Sequence, residues 1–144
     1  MGEGIIERST IWRTYEAIPM IMKSLLDPST ILTNPEVYKK VRNGRLISFL
    51  SIRDRGNHKE LGTVYTRKEY RGQGHATHLI EKVLRKTEVD VYLLCQEHLK
   101  GFYEKFGFEP IDSAPIDMEL RRKAANLINI FLNREWTIVM GRRG

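Results

Sequence analysis

The chain has 144 residues, with 24 Lys+Arg against 18 Asp+Glu, a formal net charge of +6, 41% hydrophobic and 29% charged residues. That length fits one domain over 1–144 with a core of its own, and the balance excludes a disordered chain. No apolar run approaches the ~20 residues of a membrane helix, the longest being Ala17–Met22; the single cysteine, Cys95, excludes an internal disulfide or a multi-cysteine zinc site.

The four histidines show no HExxH spacing, so no metal is expected. Met1-Gly2-Glu3-Gly4 has neither the basic region nor the apolar stretch of a signal peptide, and with one cysteine the expected location is the reducing cytoplasm. Ile5 and Ile6 open a short strand. A helix is expected over Pro19–Leu26, followed by a turn at Asp27–Thr30. Asn34-Pro35-Glu36 reads as a helix start carrying Val37, Tyr38 and Val41, stopped by Asn43-Gly44. Leu46–Ile52 and Glu60–Thr66 are strands joined by a turn over Asp54–Asn57, and Arg67–Tyr70 is a polar loop.

From Gly74 the period changes. Ala76, Leu79, Ile80, Val83 and Leu84 fall at helical spacing. Val89–Cys95 is a strand, Gln96–Phe106 a helix stopped by Gly107, and Phe108–Ile111 a strand. Pro115–Asn133 is a long amphipathic helix expected to bury Leu120, Ala124, Leu127, Ile128 and Phe131, with Arg121-Arg122-Lys123 as its solvated face. Trp136–Met140 is the last strand. The alternation over 60–111 implies an α/β chain with a mixed sheet covered by helices.

The sharpest local feature is Tyr70-Arg71-Gly72-Gln73-Gly74-His75-Ala76, between a strand and a strongly periodic helix. Glycines leave backbone N–H groups open, a helix N-terminus carries partial positive charge, and Arg71 adds a guanidinium; together they suit phosphates. There is no Gly-Lys-Ser/Thr ending, and Gly72-x-Gly74-x-x-Thr77 lacks the third small residue of a dinucleotide loop.

The pattern Arg71-x-x-Gly74-x-Ala76 instead resembles the acetyl-CoA loop of the GNAT N-acetyltransferase superfamily. The run Leu93 to Phe108, with Phe102-Tyr103-Glu104-Lys105-Phe106-Gly107-Phe108, resembles that family's second signature. The resemblance covers 60–111 and implies a mixed, mostly antiparallel sheet flanked by helices. It further implies acetyl-CoA as cosubstrate. The diphosphate would sit on Arg71, Gly72, Gln73, Gly74, His75 and Ala76, and the pantetheine arm beside Val64, Tyr65 and Thr66, near Gln96, where relatives often have Asn. A backbone N–H near Thr66 would polarise the thioester carbonyl, and Tyr103 would protonate the departing thiolate. Relatives have three antiparallel strands before the cofactor loop; Arg45–Thr66 holds two, so the third comes from the N-terminus or is absent.

An amine must lose a proton to attack, so a base or a desolvating pocket is needed. Glu60, 71 − 60 = 11 residues before Arg71, occupies the place of the base in some relatives; by strand parity it shares a face with Val64 and Thr66. It also follows a turn, where surface glutamates are common. Cys95 reads as a small buried hydrophobe, and His75 and His98 as exposed helix residues. The basic surface suits an anionic cofactor. It would also suit nucleic acid, but no aromatic-interleaved basic strand points there. The alternative to an enzyme is a non-catalytic module that binds CoA or nucleic acid. The acceptor, a small-molecule or protein amine, is not written in the sequence. A homodimer through the last helix or strand is left open, and no membrane partner is expected.

Overall fold

The computed structural model describes residues 4–10 and 35–144. The helix expected over Pro19–Leu26 and the turn after it lie outside the described residues. Among the described residues seven strands form one sheet: β1 (Ile5–Thr10), β2 (Glu36–Arg42), β3 (Arg45–Asp54), β4 (His58–Thr66), β5 (Asp90–Gln96), β6 (Glu109–Pro110) and β7 (Thr137–Arg142). Their order is β1-β2-β3-β4-β5-β7-β6. Among these strands β4 and β5 pair in parallel; the other neighbours in that order are antiparallel. The helices among the described residues are α1 (His75–Leu84), α2 (Lys100–Glu104) and α3 (Ile116–Phe131), with 3-10 turns at Lys68–Tyr70 and Glu97–Leu99. The single helix expected over Gln96–Phe106 is thus a 3-10 turn running into the short α2.

The segment read as a helix from Asn34-Pro35-Glu36 is a strand. Val37, Tyr38 and Val41 are β-formers, and β2 is hydrogen-bonded on both edges, Ile5–Thr10 on one side and Arg45–Ile52 on the other. Two ladders outweigh a local capping signal. This strand is the third antiparallel strand that Arg45–Thr66 alone did not supply.

One face of the sheet is covered by α1. Its Leu79, Ile80 and Val83 pack with Leu50 and Ile52 of β3, Leu61 of β4, Val91 and Leu93 of β5, and Tyr103 and Phe108. Each fully buried aliphatic side chain stabilises the fold by about 1.5–3 kcal/mol, so this layer anchors β4, β5 and the start of α1 relative to one another.

Helix α3 packs against β7 the other way round from the expectation. Met118, Asn126 and Asn129 are its buried residues, while Leu120, Leu127, Ile128 and Phe131 are exposed. The reason lies in β7. β6 pairs only with Gly141 and Met140, so the edge of β7 at Thr137 needs another partner. Asn126 supplies it: its Oδ1 accepts the Thr137 N–H at 2.7 Å and its Nδ2 donates to the Thr137 carbonyl at 3.1 Å. Asn129 Nδ2 donates to Thr137 Oγ1 at 3.1 Å. Leaving such a partly buried edge unpaired would cost up to about 1–3 kcal/mol per group, and satisfying it turns the amide face of the helix inward.

Candidate active site

The site is made where β4 and β5 part. Their parallel pairing runs from His58↔Asp90 to Leu61↔Leu93 and no further. β4 continues against β3 to Thr66 and β5 against β7 to Gln96, so the two strands open a wedge. A bulge sits at the same point: Ile52 faces Leu61 but Leu50 faces Val64. Two residues advance on β3 while three advance on β4. The Thr63 N–H within the bulge is met by Ser51 Oγ at 2.9 Å. Gly62 permits the approach, because a Cβ there would lie 2.5 Å from Ser51 Oγ.

Beyond the bulge a cleft of about 480 Å³ opens. Val64, Tyr65 and Thr66 form its β4 wall, and Leu99, Phe102 and Tyr103 the wall opposite. Arg71, Gly72, Gly74, His75 and Ala76 form its end, along with Tyr70 and Thr77. Gly72 and Gly74 have φ of +73° and +80°, which glycine alone adopts without strain, and nothing lies within 4 Å of where a Cβ would stand. Gly74 is the N-cap of α1 and no side chain caps the helix, so the first-turn amides face the cleft without a protein partner supplied by a cap. Arg71 Nε donates to the Thr66 carbonyl at 2.9 Å, and its guanidinium lies 5.5 Å from the Tyr65 ring centroid. That ties the loop to the end of β4. Open main-chain donors, a helix N-terminus and a guanidinium fit a diphosphate ester.

Tyr103 is 7% exposed. Burial, with a smaller contribution from Cys95, pushes its phenol well above the ordinary tyrosine value, so it is a proton donor throughout the neutral range. Its ring stands edge-on to Phe102 and Phe108, with centroids 5.1 and 6.1 Å away. Cys95 is buried, and burial pushes its thiol up to about 11. As a neutral thiol it has no nucleophilic role.

Glu60 does not share a face with Val64. The extra residue of the bulge inverts strand parity between them: Leu61 and Val64 pack into the α1 layer, and Glu60 lies on the other side of the sheet. There its carboxylate is 3% exposed and enclosed by arginines. Arg121 Nη1 and Nη2 donate to Oε1 and Oε2 at 2.6 and 2.8 Å. Arg53 Nη1 donates to Oε1 and Arg55 Nη2 to Oε2, both at 3.2 Å. Burial alone would raise its pKa, but the hydrogen bonds and charges of Arg121, Arg53 and Arg55 outweigh burial and hold it below the usual carboxylate value. Each oxygen already accepts two bonds, which leaves little basicity for an ammonium proton.

Three further positions differ from expectation. His75 is buried, because it begins the α1 stripe continued by Leu79, Ile80 and Val83. Its ring lies edge-on to Tyr70 at 6.1 Å. Burial, then the charges of Lys40, Arg42 and His78, hold its pKa below the ordinary histidine value. Gln96 ends β5 opposite Thr137 and is not part of the cleft wall; nor is the exposed Gln73 side chain. His98 is exposed, as expected, and pairs with Glu135.

Several cleft residues were not singled out from sequence. Leu99 and Phe102 sit four and one positions before Tyr103, so the helical period could have found Leu99. Arg53 was legible as the cross-strand partner of Glu60, but Arg121 was not. Among the described residues no group of three or more His, Cys, Asp or Glu could hold a metal ion, and no helix is long and apolar enough to cross a membrane.

Residues 35–110 match the model of an acetyltransferase (GNAT) domain. The structure is similar to that of Escherichia coli ElaA, at 18% identity and a TM-score of 0.67, covering 96% of this chain and 100% of that one. It is similar to the PaiA N-acetyltransferase of Thermoplasma acidophilum in complex with coenzyme A, at 18% identity and a TM-score of 0.53, covering 75% and 60%. The ribosomal-protein-S18-alanine N-acetyltransferase of Escherichia coli is 18% identical with a TM-score of 0.55, covering 74% and 67%. No curated protein matches the chain. At these identities the structural likeness is one of fold.

Proposed function

Because the chain belongs to the GNAT acetyltransferase family, we propose that it is an acetyl-CoA-dependent N-acetyltransferase that passes the acetyl group directly to an amine, on a small molecule or a protein. The observation that carries the reading is the convergence, in one cleft, of the uncapped α1 N-terminus and the Tyr103 ring at the parting of β4 and β5. Bound acetyl-CoA supplies an acyl thioester. The amides from Gly72 to Ala76, with Arg71, hold its diphosphate. A main-chain N–H near Thr66 on the opened β4 edge stabilises negative charge on the carbonyl oxygen.

As the amine nitrogen bonds to the carbonyl carbon, the C–S bond breaks and Tyr103 passes its proton to the sulfur, while the proton lost by the nitrogen as the amide forms goes to water, from which the phenolate is reprotonated. The phenol can do so because burial keeps it protonated. Among the described residues no carboxylate lines the cleft. We assign Glu60 to anchoring α3 on the sheet, and the amine gives up its proton to water before or as it enters the desolvated wedge. On that assignment kcat/KM climbs with pH through the acceptor's own pKa.

The test is thiol release with acetyl-CoA across an amine panel. Tyr103→Phe should bind CoA as the wild type does and lose roughly 10²–10⁴-fold in kcat, the range for removing a general acid. Full turnover in that variant at every pH removes the acid role. CoA binding without thiol release for any amine makes the protein a binding module.

A further inference from the structure

The outward face of α3 has no counterpart in the catalytic reading. Ile116, Leu120, Leu127 and Phe131 are 80%, 63%, 62% and 87% exposed, and Ala124 between them is exposed too. At about 100° per residue these five fall in an arc of roughly 80°. Ile128 and Ile130 flank them, and Leu132 and Trp136 extend the patch past the helix end. The helix cannot roll to bury this stripe, because Asn126 and Asn129 hold its other side to Thr137.

We propose that this stripe is the contact surface of a homodimer, with α3 packed antiparallel against α3 of a second copy about a two-fold axis at Lys123–Ala124. Eight large apolar side chains, each more than half exposed, present on the order of 100 Å² apiece. That makes roughly 800 Å² per copy, the contribution of one partner to a stable interface and more than a lone protein usually leaves open. The stripe is self-complementary. An axis at its midpoint sets Leu120 against Leu127 of the second copy and Ile116 against Phe131, while the small Ala124 lets the helices approach closely. Two charges border it along the helix, Asp117 on one edge, paired with Arg121, and Lys123 on the other, where a long side chain can reach water. A lipid surface fits less well: it wants a fringe of available cations, whereas Arg121 is engaged by Glu60 and Asp117, and Arg122 by Glu119.

Sedimentation of the full chain at micromolar and higher concentration tests this. The wild type should sediment at twice the chain mass. Leu120→Glu combined with Leu127→Glu should shift it to single-chain mass, weakening association on the order of a hundredfold or more because each copy would bury unpaired carboxylates. The circular dichroism of that variant and its CoA affinity should stay unchanged. Ala124→Cys should form a disulfide-linked dimer under mild oxidation, and Glu81→Cys, on exposed α1 surface, should not. A single-chain mass for the wild type at all concentrations overturns the proposal. So does a dimer indifferent to the glutamate pair. Flotation of a single-chain wild type with phosphatidylserine vesicles, abolished by the same pair, would assign the stripe to lipid instead. None of these readouts depends on acetyl transfer, so an inactive enzyme leaves the proposal standing.

Discussion

The two sides of β4 solve opposite electrostatic problems. After the bulge, the strand borders a cleft whose polarity comes from main-chain donors and glycines, with Tyr103 held neutral. Before the bulge, on the other side of the sheet, Glu60 is a full charge taken out of water and compensated by three guanidiniums. One side keeps main-chain donors open, which we assign to an arriving anion; the other has its anion built in. On the structural role we assign to Glu60, a shifted pKa alone does not mark a catalytic group: what its oxygens already bind bears on whether it can take a proton.

Replacing Glu60 is the largest way to break the contrast. Glu60→Gln leaves Arg53, Arg55 and Arg121 without their shared anion, and should lower unfolding free energy by about 3–5 kcal/mol, the cost of unpairing one side of a buried ion pair. Urea denaturation measures it. A second substitution, Arg121→Gln, should restore part of the loss. Because the folded carboxyl is held below its ordinary value, its stabilisation is present above the unfolded pKa of about 4.3 and disappears as pH falls through the lower folded value. A stable Glu60→Gln variant with collapsed turnover would reverse the assignment and make Glu60 the base.

The loop and helix start that we assign to the cofactor were legible as structure in the sequence because their causes are local. Gly72 and Gly74 sit where φ must be positive. The α1 stripe has apolar residues at helical spacing with polar ones opposite, and both strands of the β3–β4 hairpin follow from β-formers around Gly56. What could not be read depended on partners distant in sequence. Glu36–Arg42 is a strand because β1 and β3 flank it, against its own capping signal. The bulge that inverts Glu60 relative to Val64 is set by Ser51 across the ladder; Gly62 was the one local hint. Helix α3 showed its apolar stripe plainly, but periodicity says that a stripe exists and not which way it points. The open edge at Thr137 decided that.

A middle-sized effect probes the open side. Gly74→Ala forces a Cβ into a backbone at φ +80°, which costs about 1–3 kcal/mol and meets no heavy atom within 4 Å in the protein itself. Relaxing that strain moves the α1 N-terminus, so CoA affinity should fall by more than tenfold in calorimetry while Glu60 and its arginines stay intact. Gly56→Ala carries similar strain at φ +89° in the β3–β4 turn and should lose stability without losing CoA affinity. Equal CoA affinity in the two variants would mean that the loop geometry is not what holds the diphosphate.

The smallest effect lies at the end of the cleft. His75 begins α1 as a buried imidazole near Lys40, Arg42 and His78, with Tyr70 edge-on to its ring. Its folded pKa is below the unfolded value of about 6.5. Between the two values the unfolded chain binds more protons, so stability rises with pH and is lost as pH falls below about 6.5. The urea midpoint should therefore drop modestly from about pH 7.5 to about pH 5.5, and His75→Leu should flatten that slope. An unchanged slope in His75→Leu would mean that the ring titrates as it does in water, and that the α1 N-terminus tolerates a further cation beside the diphosphate cradle.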